Sequence, residues 1–197
     1  MRRKIIKAIC VAIALLLTVG GLSACGDVDE MLGGELGEGN DSATSEVLQF
    51  FEVLQDNESM PFTITEKAKV MLSENDALFQ ENKNEELEKY TDTSLEYKVL
   101  TKNIEKHGDK LIYLPGAYVL SIAETEIDAE MILSELHLLD TDGNSFYVLS
   151  LSEYVDIYEE DTVNVYALPI GETSFENIGG GTTLAIVLAG CYIEEIE

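Results

Sequence analysis

Residues Ala129 to Leu151 read AEMILSELHLLDTDGNSFYVLSL, and the fold turns on this stretch. Ala129 to Leu139 is a strand-like run. It ends in Asp140-Thr141-Asp142-Gly143-Asn144, which is hairpin chemistry, because Asp and Asn bond to nearby backbone and Gly accepts positive φ. Phe146 to Leu151 then reads as the return strand.

On the C-terminal side, Ser152 to Tyr158 reads as a short helical turn. Thr162 to Leu168 alternates Val163, Val165 and Ala167 with polar or aromatic neighbours, as a half-buried strand does. A glycine-rich loop is expected over Gly171 to Gly181, before a last apolar strand from Thr182 to Ile193. On the N-terminal side, Leu111 to Ala123 is rich in Ile, Tyr, Leu and Val and supplies a first strand. Residues 108–197 thus read as five strands with a short connector between the third and fourth.

Farther upstream the period becomes helical. Thr44 or Ser45 can cap Glu46 to Gln55, whose apolar residues are too dense for a fully exposed helix. Asn57 to Pro61 breaks that run. Thr63 and Glu66 have capping-box spacing ahead of a helix over Ile64 to Ser73. Glu81 to Lys89 reads as a surface turn or loop. Ser94 to His107 is expected to form one helix, with Ser94 as N-cap, Lys102 and Lys106 near its end, and Gly108 at C′. The fold class is therefore α+β: a helical segment over 46–107, then a β-barrel over 108–197.

This order resembles the OB-fold, a five-stranded Greek-key barrel. The segment Leu100 to Gly108 runs into a strand bearing Gly116-Ala117-Tyr118-Val119, which is similar to the Gly-x-Val step of exported OB-like domains, with the valine one place late. Asp140 to Asn144 resembles the 2–3 hairpin, and Glu159 to Val165 the entry to strand four. The resemblance covers about residues 94–193 and leaves the ligand open. It implies binding on the face of strands two and three, flanked by the 1–2 and 4–5 loops. Tyr147, Tyr166, Glu172, Phe175 and Asn177 are the candidate ligand-binding residues on that basis, since tyrosine offers contact area with a polar tip. Tyrosines half-buried at strand ends account for most of the set equally well.

Other motifs are read as structural. Asp140 to Ser145 lacks the glycine at position six and the glutamate at position twelve of a calcium loop, so a turn explains it better. His107, His137 and Cys191 do not cluster in sequence as zinc ligands do, and no metal site or cofactor is assigned. No Gly-x-Ser-x-Gly turn occurs, and nothing in the sequence places a serine beside a histidine, so no catalytic residue is assigned. Gly179-Gly180-Gly181-Thr182-Thr183 lacks the lysine of a phosphate-binding loop. Cys191, inside an apolar run, reads as a small core residue.

The N-terminus carries an address. Arg2, Arg3, Lys4 and Lys7 precede an apolar run from Ala8 to Val19, the layout of an export signal. Leu22-Ser23-Ala24-Cys25 resembles the bacterial lipobox. It implies cleavage before Cys25 and a diacylglycerol thioether on that cysteine, giving a signal peptide over 1–24. Gly26 to Ser45 is Gly- and acid-rich; as a flexible tether, residues 25–45 would span roughly 25 Å. Residues 25–197 hold 8 Lys, no Arg and 38 acids, a net charge of −30. That charge repels nucleic acid and anionic headgroups alike, so acyl chains alone would have to hold the membrane.

The expected protein is thus a lipid-anchored, extracytoplasmic binding or adaptor module, with a possible envelope protein as partner. The alternatives are an accessory protein that binds a small ligand or a divalent cation, and an enzyme.

Overall fold

The computed structural model describes residues 45–55, 60–80, 82–83, 86–128, 131–176 and 180–196. The readings placed on the signal peptide, Cys25, residues 26–44 of the tether and Asn177 lie outside those residues.

Five strands form the body: β1 (Ile112–Asp128), β2 (Met131–Leu139), β3 (Ser145–Ser150), β4 (Thr162–Glu176) and β5 (Thr182–Glu195). They close into a barrel in the order β1-β2-β3-β5-β4, with β4 returning to β1. The β3–β5 pair is parallel and the other pairs are antiparallel. Closure depends on β1 serving two neighbours. Its first half pairs with β4 from Ile112 to Tyr118, and its second half pairs with β2 from Tyr118 to Asp128. A strand shared in this way must coil sharply. The register shifts between Leu114 and Ala117 and again between Val119 and Ser121, and Gly116 sits in the first shift at φ 64°. Glycine takes that conformation without the Cβ clash of other residues.

The barrel wall separates two cores. Inside lie Ile112, Val119, Leu136, Leu138, Phe146, Val148, Val163, Val165, Ile186 and Leu188. Outside, Leu133, Leu149, Leu168, Ile170, Val187, Ala189 and Cys191 face the helical segment. β5 belongs to both, and Ala185 to Cys191 is buried throughout. Its unbroken apolar run is that of a strand covered on each side.

The outer core is roofed by α1 (Glu46–Leu54) and α2 (Glu66–Glu74), with 3₁₀ turns at Asp76–Phe79 and Leu87–Tyr90. Ser45 caps α1 by accepting from the Leu48 amide. Thr65 caps α2 by accepting from the Ala68 amide. The cap is thus Thr65, two residues after the expected Thr63, because the Thr65 amide is already bound to the Ile170 carbonyl at 2.9 Å and the chain leaves the sheet there. The Asn82 side chain clips this layer to β5, donating to and accepting from the Ile193 backbone.

Two plugs fill the barrel ends. At one, Leu95 and Leu100 join the inner core, with Tyr97 edge-on to Phe146. The expected single helix over Ser94 to His107 is instead one turn, α3 (Tyr97–Leu100), and a 3₁₀ turn at Ile104–Lys106. Asn103 is extended, at φ −168°, and separates them. Ser94 does not cap; its amide and hydroxyl bond to the Asp92 carboxylate. Gly108 is not left-handed, and glycine is needed there because a Cβ would lie 2.4 Å from Thr65 Oγ1. At the other end Tyr154 and Ile157 enter the inner core from a loop with no helix, where a helical turn was expected. Tyr154 is anchored twice: its hydroxyl meets Ser150 Oγ at 2.8 Å, and its amide donates to the Glu124 carboxylate.

The hairpin at Asp140 to Asn144 forms as read. Gly143 has φ 81°, and Asp140 accepts from the Asp142 and Asn144 amides. The reading of Gly171 to Gly181 as a loop is corrected: β4 continues through Gly171 to Glu176, paired with Thr182 to Val187.

Candidate functional site

Strand alternation fixes what the outer wall presents. On β2, Leu133, Glu135 and His137 face outward, and on β3 Tyr147 and Leu149 do so. Leu133 and Leu149 lie under the helical layer, while Glu135, His137 and Tyr147 remain half-buried at its margin. His137 pairs with Tyr147 across the ladder, the ring centres 5.9 Å apart, and Phe175 from the end of β4 sets its ring edge-on to His137 at 5.4 Å. Tyr147 and Phe175 are thus brought together, and the residue joining them is His137.

The sequence had placed His137 in a strand between two leucines without a role. Alternation across the Asp140 hairpin was the signal that could have put it opposite Tyr147.

The electrostatics of this face follow from partial burial. Desolvation lowers the pKa of His137 and raises that of Glu135. The Tyr147 hydroxyl is pushed up to about 12, first by burial and then by the nearby Glu135 charge. The face therefore holds a neutral imidazole and a protonated phenol at neutral pH. Groups of this kind are found where ligands are received.

His137 also makes a contact the sequence could not show: its Nε2 lies 2.7 Å from Ser145 Oγ. Nothing in the sequence places a serine beside a histidine; the hairpin does so by folding Ser145 onto His137. Ser145 is 4% exposed, so its hydroxyl serves the ring and does not face an incoming substrate. No carboxylate among the described residues bonds to the other ring nitrogen.

Tyr166 belongs to a second aromatic group. It stacks on Tyr113 at 4.6 Å and approaches Tyr192 at 6.5 Å, across β1, β4 and β5. Tyr147 lies opposite Val187 and Tyr166 opposite Tyr192 on β5, which separates the two groups by about 16 Å along the strand. The helical layer occupies the wall between them. Glu172 stands apart from both rings and lines a shallow, open hollow of about 340 Å³ with Pro61, Phe62, Thr63, Ile104 and Glu105. Burial raises its pKa as well.

Among the described residues, no three His, Cys, Asp or Glu side chains gather as metal ligands, and no helix is long and apolar enough to cross a membrane. No known family model, curated protein or solved structure matches the chain.

Proposed function

We propose that this chain is a lipid-anchored, extracytoplasmic lipoprotein whose OB-type barrel acts as a non-catalytic binding or adaptor module. The strand order, with β3 parallel to β5 and β1 shared by β2 and β4, supports the OB reading. The observation that carries the binding reading is the group Tyr147, His137 and Phe175. It lies half-buried on the outer face of strands two and three, with Phe175 from the end of β4, on the face where such barrels take ligands. The anchor rests on the lipobox resemblance at Leu22 to Cys25.

The test is in-cell photocross-linking from Phe175 and Tyr147 in the full chain, repeated with Cys25→Ala. One discrete partner, captured from both positions and lost with Cys25→Ala together with fatty-acid labelling, is the expected result. Labelling that persists in Cys25→Ala would remove the anchor, and no adduct from either position would remove the binding face.

A further inference from the structure

The barrel end opposite α3 carries the two most exposed large hydrophobic side chains among the described residues. Its loop, residues 152–161, is held rigidly. Tyr154 and Ile157 are buried, and the Val119 backbone exchanges hydrogen bonds with Glu160 and Asp161. Residues between these anchors are turned outward. Val155 is 65% exposed and Tyr158 64% exposed, the Tyr158 hydroxyl donating to the Val155 carbonyl. Tyr118, exposed on β1, pairs with Thr162, and the Thr162 carbonyl accepts from the amide of exposed Ile196. Val155 and Tyr158 therefore present large side chains side by side on this loop, and Tyr118 and Ile196 are exposed on backbone that adjoins it.

The rim of this patch has one sign. Glu153, Asp156, Glu159, Glu160 and Asp161 share this loop with Val155 and Tyr158, all but Asp161 exposed, and residues 111–197 contain 17 acids and no Lys or Arg. No cation of the barrel itself can neutralise that rim. The charge also selects the occupant. A second copy carries the same net charge of −26 and, like an anionic membrane surface or nucleic acid, is repelled.

We infer that this barrel end docks a cationic polypeptide, one presenting Lys or Arg beside a large apolar side chain. The inference rests on the reading of the chain as a binding module and adds the partner's chemistry and a second surface. The apolar side chain covers Val155 and Tyr158 while its basic neighbours meet the acidic rim.

The test is a fluorescence-anisotropy titration of the full chain in non-ionic detergent with a short labelled peptide alternating Lys and Tyr. A peptide alternating Glu and Tyr is the control. Val155→Ser with Tyr158→Ser keeps every charge and touches only exposed positions, so the melting temperature should hold. The expected result is binding of the Lys peptide alone, weakened about tenfold or more in the double variant and unchanged in Tyr147→Ser with Phe175→Ser. Absence of binding, or equal binding by the double variant, overturns the inference, the latter because charge alone then suffices. Loss only in the Tyr147 and Phe175 variant also overturns it, while leaving the binding-module reading intact on its own face.

Discussion

The two cores share one wall and differ in what they need. The inner core is enclosed by strands that hydrogen-bond into a ring and is plugged by Tyr154, Ile157, Leu95 and Leu100. The outer core is roofed by two helices of 9 residues each, shorter than an isolated helix that holds in water. Those helices depend on Val187, Ala189 and Cys191 beneath them. The charges divide as well: every Lys after the first 24 residues lies between Lys67 and Lys110, and none lies in the strands. The difference predicts a hierarchy, in which the roof depends on the barrel more than the barrel on the roof.

The hierarchy is tested most severely by paired truncations. Phe146→Ala in the inner core and Phe51→Ala in the outer core each remove a fully buried ring, at about 3–5 kcal/mol. Hydrogen exchange should show the first loosening the whole molecule. The second should release α1, α2 and the Asp76–Phe79 turn while strand amides stay protected. Uniform loss in both variants would abolish the distinction.

Next comes the seam. A Cβ on Gly171 would lie 2.6 Å from the Thr63 carbonyl oxygen, so Gly171→Ala should cost about 1–3 kcal/mol by forcing the roof away from β4. Chemical denaturation reads the cost, and an unchanged midpoint would mean the seam can shift freely. Ser45→Ala and Thr65→Ala should each cost about 1 kcal/mol through a lost cap. The same midpoint measurement checks this, with the loss confined to roof amides in exchange.

A smaller effect is read by pH. The raised pKa of Glu135 means its charge opposes folding, so Glu135→Gln should stabilise at pH 7, with the gain fading as pH falls through the raised value toward the ordinary 4.5 and absent below it. His137 works in the opposite sense. Its pKa is lowered in the fold, so protonation costs stability below the ordinary 6.5, and His137→Gln should flatten that loss. Melting curves from pH 4 to 8 separate the two signs. Smallest of all, Lys67→Met, which breaks the exposed 3.0 Å pair with Asp109, should change stability by no more than about 0.5 kcal/mol.

The parts of this architecture that were legible in sequence are those with a local cause. The Asp140 hairpin declares itself through turn chemistry, and α1 through its period and cap. What was hidden has a distant cause. Gly171 to Ser174 looks like a loop and is a strand because Leu184 to Val187 lies beside it. Ser94 to His107 has helical spacing in Tyr97, Leu100 and Ile104, yet the barrel mouth takes Leu95 and Leu100 as a plug and the helix ends after one turn. Tyr147 and Phe175 were legible as candidates from the order of elements. Their link through His137, and the distance of Tyr166 from both, exist only after the sheet has curved.

β5 carries one more consequence, which concerns time. It lies between β3 and β4 and bonds to each, so until residues 182–195 arrive the ring is a pair of open edges around a half-filled interior. A chain emerging N-terminus first from a ribosome cannot complete this fold gradually. Its roof helices appear first with nothing to rest on, its most apolar strand appears last, and closure is a single late event of long sequence range. The vulnerable period of this protein's life is the interval before Cys191 and its neighbours are in place.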